Sequence, residues 1–255
     1  MGIHWSVFFG ILGLVIGSFL NVIIFRLPKE ESIISPGSHC PVCNHFLRPW
    51  ELIPILSYVF LRGRCSQCKV KISWRYPLLE GLTGILFFLV AYNNKSGSFG
   101  LFTIELIFIV LLLVLAGIDW YTFRLPDIFT IPLIIIAIGA RFYFPEGPTG
   151  WESFGTAVVA GGIFWLINFI YPDGMGLGDV KLIMGIGAFL GAHKVFIAIF
   201  IASLSGSLVG LTLLSLKKAT FSQPIPFGPY LVFGALISFF SGDLILDYYA
   251  KIFFS

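Results

Sequence analysis

The sequence predicts an all-α polytopic membrane protein of about eight transmembrane helices plus one small cytoplasmic domain. Three observations predict it. Of the 255 residues, 57% are hydrophobic and only 11% are charged, whereas a soluble domain keeps about a quarter of its residues charged. Mean hydropathy is +0.95. The apolar residues come in runs close to the ~20 that a helix needs to cross hydrocarbon, and the long polar stretch, 26–76, stands apart from them.

The first run, 5–25, reads as a retained span with a translocated N-terminus. Met1 to Trp5 hold no Lys or Arg and no small-residue cleavage site follows, which argues against a signal peptide. Gly10, Gly13 and Gly17 fall along one side, with Gly13 and Gly17 in the GxxxG spacing of a packing face. Asn21, one turn on, is placed to hydrogen-bond across helices. After the polar stretch come runs at 77–93, 101–118, 127–144, 152–171, 180–193, 195–216 and 229–249. Fusing the sixth and seventh would give a segment too long for one crossing, so a break is expected around Gly191-Ala192-His193-Lys194. Gly185, Gly187 and Gly191, and the run Ser203, Ser205, Gly206 and Ser207, read as close helix contacts. Glu80, entering the second span, is expected to bind a loop backbone or a basic group. Pro224, Pro226, Gly228 and Pro229 form a stiff loop before the last span, either a wall of a site or a plain turn. The division expected is a first helix at 1–25, a cytoplasmic domain at 26–76 and a membrane core at 77–255.

Orientation follows from the basic residues. With the N-terminus outside, the outer side keeps Lys95, Arg141, Lys194 and Lys251, and the other 12 of the 16 Lys and Arg residues, Lys217 and Lys218 among them, fall on the inner side. The reading is N-out and C-out. It puts Asp119, Asp127 and Asp179 at the cytoplasmic edge, although the crossings were chosen on hydropathy alone.

All four cysteines lie in the polar stretch, as Cys40-Pro41-Val42-Cys43 and Cys65-Ser66-Gln67-Cys68, separated by 21 residues. Two Cys-x-x-Cys knuckles at this distance form a tetrahedral zinc pattern, since each tight turn offers two thiolates. A loop this short buries little core, and a metal would supply folding energy. A small zinc-binding cytoplasmic domain is therefore expected. Two disulfides or four free thiols are the alternatives, with disulfides disfavoured on the cytoplasmic side. His39 and His45 flank the first knuckle as substitute ligands. Trp50-Glu51-Leu52-Ile53-Pro54 and Trp74-Arg75-Tyr76-Pro77 suit either a lid on the inner leaflet or a second site for a cofactor or substrate. The basic residues form no aromatic-interleaved stripe, which leaves no case for nucleic-acid binding.

Ionisable groups at membrane depth mark function. Asp119 closes one span in Ala116-Gly117-Ile118-Asp119-Trp120, and Asp179 opens another in Gly176-Leu177-Gly178-Asp179. Two carboxyl groups meeting across a bundle suit shared-proton chemistry, one activating water and the other protonating a carbonyl. Asp179 would feel the positive end of its helix dipole and Asp119 the negative end. The bland reading of Asp179 is a helix cap, and for Asp127, just after Pro126, the cap reading is favoured.

Several motifs occur together and in order. They are Gly17-Ser18-Phe19-Leu20-Asn21 running to Arg26-Leu27-Pro28, the paired knuckles with His39-Cys40-Pro41, and Ile72-Ser73-Trp74-Arg75-Tyr76-Pro77 leading to Glu80. Asp119 with Leu125-Pro126-Asp127, Gly176-Leu177-Gly178-Asp179-Val180-Lys181-Leu182, and Pro226-Phe227-Gly228-Pro229 complete the set. In this combination the chain resembles the type IV prepilin leader peptidases (prepilin peptidase/N-methyltransferases) over nearly its whole length. The resemblance implies an intramembrane aspartyl protease of the Gly-x-Gly-Asp type, with Asp119 and Asp179 as the catalytic pair. By the same motifs Gly176, Gly178, Asp127 and Lys181 are implied as substrate-binding or site-supporting residues. The implied substrates are prepilins or pseudopilins, cut after a Gly ahead of a hydrophobic helix at the cytoplasmic face. The cysteine-bearing loop implies the bifunctional form, which also methylates the new N-terminus with S-adenosylmethionine. Peptidase activity without methylation is one alternative. A transporter would spread its acids through the membrane depth, and a scaffold that binds pilin-like helices would not need both aspartates.

Overall fold

The computed structural model describes residues 2–94, 98–144, 146–172, 174–217 and 225–253. Lys95, Lys218 and Pro224 lie outside the described residues. Regular structure among the described residues is helical throughout. The helices are α1 (Ile3–Arg26), α2 (Leu56–Phe60), α3 (Arg75–Asn93), α4 (Phe99–Thr122), α5 (Asp127–Tyr143), α6 (Gly150–Ile170), α7 (Leu177–Leu190), α8 (Ala192–Ser215) and α9 (Gly228–Phe253). Every expected apolar run is a helix to within a few residues. A bilayer offers no water to an unpaired peptide group, so an apolar run must bond its own N–H and C=O groups. By length and composition α1, α3, α4, α6, α8 and α9 can each cross a membrane. The helices of the other two apolar runs are shorter, α5 with 17 residues and α7 with 14.

The chain forms two units, Met1–Val110 and Leu111–Ser255. In the first, α1 packs on α3 through the expected glycine face. A Cβ on Gly13 would lie 2.7 Å from the Thr83 carbonyl oxygen, and one on Gly17 would lie 2.8 Å from the Glu80 Cα. The backbones touch, and any larger residue there must push them apart. Asn21 does bridge helices, its Nδ2 donating 3.3 Å to the carbonyl of Tyr76. Glu80 binds loop backbone, as one of the two expectations had it. Its Oε2 accepts the Ile55 N–H at 2.8 Å, which ties the polar stretch to the first turns of α3.

In the second unit α7 is the inner helix. Ten of its residues, Asp179, Val180, Leu182, Ile183, Gly185, Ile186, Gly187, Ala188, Phe189 and Leu190, are buried, against α5, α6, α8 and α9. Gly185 admits Leu133, whose Cγ would stand 2.7 Å from an added Cβ. The break before α8 falls at Gly191, where φ is +81°, a value that favours glycine. Two of the last carbonyls of α7, those of Ala188 and Phe189, are satisfied from neighbouring helices. Ser153 Oγ donates to the Ala188 oxygen at 2.7 Å. Arg141, counted from sequence as an outer charge, turns inward; its Nη2 donates to the Phe189 oxygen at 2.8 Å.

The small-residue run on α8 departs from expectation. Ser203 and Ser207 are exposed, and with Gly206, Gly210, Phe227 and Tyr230 they line an open groove rather than a helix contact. Burial on α8 rests on Val195, Ala198 and Ala202, too few to occupy its whole circumference.

Candidate active site and metal centre

Asp119 lies in the last turn of α4. The helix stops at Phe123, where φ is +54°, and the Phe123 N–H returns to the Asp119 carbonyl at 2.9 Å. The Asp119 side chain is 5% exposed, and its Oδ2 accepts the Gly228 N–H at 2.9 Å. A Cβ on Gly228 would stand 2.7 Å from that oxygen. The first residue of α9 therefore reaches Asp119 only because it lacks a side chain.

Asp179 lies in the first turn of α7 and is 8% exposed. Its Oδ2 reaches back to the Gly176 N–H at 3.3 Å, so the capping interaction is present. It accounts for one oxygen only. Oδ1 is buried and has no hydrogen-bond partner among the described residues, a costly state that needs an occupant or a use. The charge of Asp119 acts on Asp179, so the two acids, 60 positions apart in the sequence, come within electrostatic reach. Two buried carboxyl groups so placed hold one proton between them more cheaply than none. Such a pair can polarise a water and protonate a carbonyl. The dipole contrast read from sequence does not separate them. Asp119 meets the N-terminus of α9 and Asp179 that of α7, so each carboxylate faces a positive helix end.

The glycines of the Gly-x-Gly-Asp motif play different parts. A Cβ on Gly178 would lie 2.7 Å from the Leu125 Cβ, so Gly178 lets the loop after α4 lie on α7. At Gly176 an added Cβ would meet the Asp179 Oδ2 at 3.6 Å, an ordinary contact. That residue serves through its N–H.

The favoured cap reading of Asp127 is corrected. Pro126 occupies the cap position and the Asp127 side chain caps nothing. Its Oδ1 instead accepts from Lys181 Nζ at 2.6 Å, joining the first turns of α5 and α7. Sequence reasoning gave Gly228 no direct role. The compact Pro226-Phe227-Gly228-Pro229 motif was the signal that could have found it, since glycine between prolines permits a close approach that few residues allow.

The four cysteines form no disulfide. Their sulfurs lie within 4.8 Å of one another, with Cys40–Cys68 at 3.7 Å and Cys43–Cys65 at 3.9 Å. A tetrahedral shell with ~2.3 Å metal–sulfur bonds has edges near ~3.8 Å, so the cluster fits one ion of zinc size. The two knuckles repeat each other. The Cys40 N–H bonds the His45 oxygen and the Cys65 N–H the Val70 oxygen, each at 2.9 Å, and Asn44 and Lys69 take φ of 56° and 60° at matching places. Backbone N–H groups of Cys43 and Val42 aimed at Cys40 bring its thiol down to about 7. Cys68, despite the Val70 N–H, is pushed up to about 11 by burial and its thiol neighbours. The histidines are engaged elsewhere. His39 Nδ1 lies 3.0 Å from the Gly37 oxygen, and His45 Nε2 lies 3.2 Å from Glu51 Oε2.

Comparison with known proteins finds a family match. The Bacterial Peptidase A24 N-terminal domain matches residues 11–94, and the Type IV leader peptidase family matches residues 106–211. A prepilin leader peptidase/N-methyltransferase of Pseudomonas aeruginosa is 35% identical, over 94% of this chain and 92% of its own. Proteins of the same name from Neisseria gonorrhoeae (37% identical, 91% of this chain and 89% of its own) and Aeromonas hydrophila (35%, 97% and 94%) are similarly related. No solved structure matches the chain.

Proposed function

Since the chain belongs to the type IV leader peptidase family, we propose that it cleaves the leader of prepilins or pseudopilins by an aspartyl mechanism within the membrane. The observation that carries this reading is the pairing of Asp119 and Asp179. Both are buried, the charge of Asp119 acts on Asp179, and one oxygen of Asp179 lacks a partner among the described residues. The substrate's apolar helix enters from the lipid side, and its basic leader stays in the cytoplasm. The open groove on α8, lined by Ser203, Gly206, Ser207 and Gly210 beside Phe227, supports lateral entry, because small residues admit a second helix. The pair activates water against the bond after the leader Gly, with one carboxyl group holding the proton that the carbonyl receives. Gly176, Gly178, Asp127 and Lys181 keep the head of α7 in place. The charge bias read from sequence supports an N-out, C-out topology with the pair at the cytoplasmic face.

The names of the relatives join peptidase to N-methyltransferase, and the same second activity is proposed here. S-adenosylmethionine, when bound, supplies the methyl group for the newly exposed amine. The four-cysteine cluster is proposed to hold a structural zinc ion that sets the shape of the polar stretch.

The test is cleavage of a purified prepilin by Asp119→Asn and Asp179→Asn. Each variant is expected to be expressed, to carry the same zinc and to cut nothing. Cleavage by either variant would refute the role given to that residue.

A further inference from the structure

Each aspartate of the pair accepts one backbone N–H, and the two peptide groups that supply these donors are anchored differently. The Gly228 N–H donates to Asp119 Oδ2 at 2.9 Å. The carbonyl of that same peptide group belongs to Phe227, and it accepts the N–H groups of Tyr230 and Leu231, each at 3.1 Å. The first turn of α9 thus holds this peptide with its own backbone. The Gly176 N–H donates to Asp179 Oδ2 at 3.3 Å. The carbonyl of that peptide group belongs to Met175, and it accepts from a side chain, the Nδ2 of Asn168. Asn168 lies in the last turn of α6, seven positions before Met175. The helical bonds of α7 begin at the next carbonyl, that of Gly176, which accepts the Asp179 N–H at 3.1 Å. The Met175 carbonyl lies one peptide outside them, and α6 supplies its anchor.

Resting on the aspartyl reading above, we infer that Asn168 is a positioning residue for leader cleavage. Its amide holds the Met175–Gly176 peptide, and that peptide holds Asp179. A trans peptide group is planar, with its C=O and N–H on opposite edges. Pinning the Met175 oxygen therefore sets the direction in which the Gly176 N–H points. The two hydrogen bonds run in series, and bonds in series polarise one another. The second is charge-assisted whenever Asp179 is ionised. With Oδ2 engaged, the carboxyl group does not turn freely, and Oδ1, which has no partner among the described residues, keeps one direction for the reaction. An Asn that merely closed the connection between α6 and α7 would act on stability and leave turnover per folded molecule unchanged. An Asn that acts through the Gly176 N–H must act on turnover.

The experiment uses the full chain in lipid nanodiscs with a purified prepilin. Asn168→Leu and Asn168→Asp keep the size of the side chain but offer the Met175 oxygen no N–H. Each is expected to lower kcat by about 10- to 100-fold, the cost of misplacing a reacting group by up to ~1 Å. KM should stay within about twofold, since the contact serves the transition state rather than substrate binding. Hydrogen–deuterium exchange at the Gly176 N–H, read by mass spectrometry with electron-transfer fragmentation, should quicken in both variants. Asn168→Gln or Asn168→Lys restores a donor, and at least one of them should recover most of the lost kcat. Wild-type kcat in both donorless variants overturns the role. So does an equal loss in donorless and donor-bearing variants, which would mark a structural closure, and so does a loss of kcat with unchanged exchange at Gly176. If the wild-type protein cuts no prepilin while Asn168→Leu still quickens that exchange, the peptidase reading falls and takes the cleavage role with it, although the anchor itself stands.

Discussion

The Gly228 N–H donates to the Oδ2 of Asp119 at 2.9 Å, joining residues 109 positions apart. The first residue of α9 thus helps to fix a carboxyl group at the end of α4. A backbone donor is rigid and cannot rotate away as a side chain can. It gives Asp119 one oriented oxygen, which suits the shared-proton role proposed for the pair.

Gly228→Ala should therefore damage the site without unfolding the protein. The added methyl would stand 2.7 Å from the carboxylate oxygen, forcing α9 or the Asp119 side chain to move. Displacements of ~1 Å near reacting groups cost about 100-fold in rate. Prepilin cleavage should fall by that order while circular dichroism and zinc content hold. Wild-type cleavage in this variant would show that the contact is dispensable.

Arg141→Ala should lower stability by about 1.5–3 kcal/mol, the range for a hydrogen bond from a charged donor. The Phe189 carbonyl it serves belongs to the last turn of α7 and has little water to turn to. Arg141→Lys should recover only part of the loss, because an ammonium does not reproduce the planar fork. Unfolding in mixed micelles would measure both.

The Lys181–Asp127 contact is short at 2.6 Å, but its side chains are 37% and 57% exposed. Exposed ion pairs contribute about 0.2–1 kcal/mol. A double-mutant cycle with Lys181→Met and Asp127→Asn should give a coupling within that range, shrinking as salt rises. A coupling above about 2 kcal/mol would mean that this pair, rather than apolar packing such as Gly185 on Leu133, holds α5 to α7.

Metal loading should release more than one proton per ion at neutral pH, since thiols must ionise to bind. Cys40, near 7, is about half ionised there, whereas Cys68, near 11, keeps its proton until the metal displaces it. Affinity should accordingly rise with pH. Calorimetry in buffers of different ionisation enthalpy counts the protons, and a pH-independent affinity would argue against thiolate ligation.

The helices and the cysteine cluster were legible because their signals are local. An apolar run in lipid has few options besides a helix, Gly191 marks its own break, and each Cys-x-x-Cys knuckle is one turn. What escaped depends on partners far along the chain. Asp127 after Pro126 has the local form of a cap, and only the fold brings Lys181 to it from 54 positions away. Arg141 counts from its position as an outer charge until the last turn of α7 is found beside it. The small run on α8 has the composition of a buried contact, yet nothing among the described residues fills it. The donor that fixes Asp119 is a bare N–H, which every residue but proline carries, so its one local mark is the small residue of Pro226-Phe227-Gly228-Pro229.

With 14 residues, α7 rises only about 21 Å, less than the ~30 Å of a hydrocarbon core. Its mismatch falls on protein, because ten of its residues are sheathed by neighbouring helices. α8, with three buried residues, takes the opposite role and meets the acyl chains. A bacterium that remodels its lipids in the cold would change the surroundings of α8 and leave those of α7 nearly constant, so the chemistry of Asp179 should outlast shifts in membrane thickness that alter how readily substrates arrive.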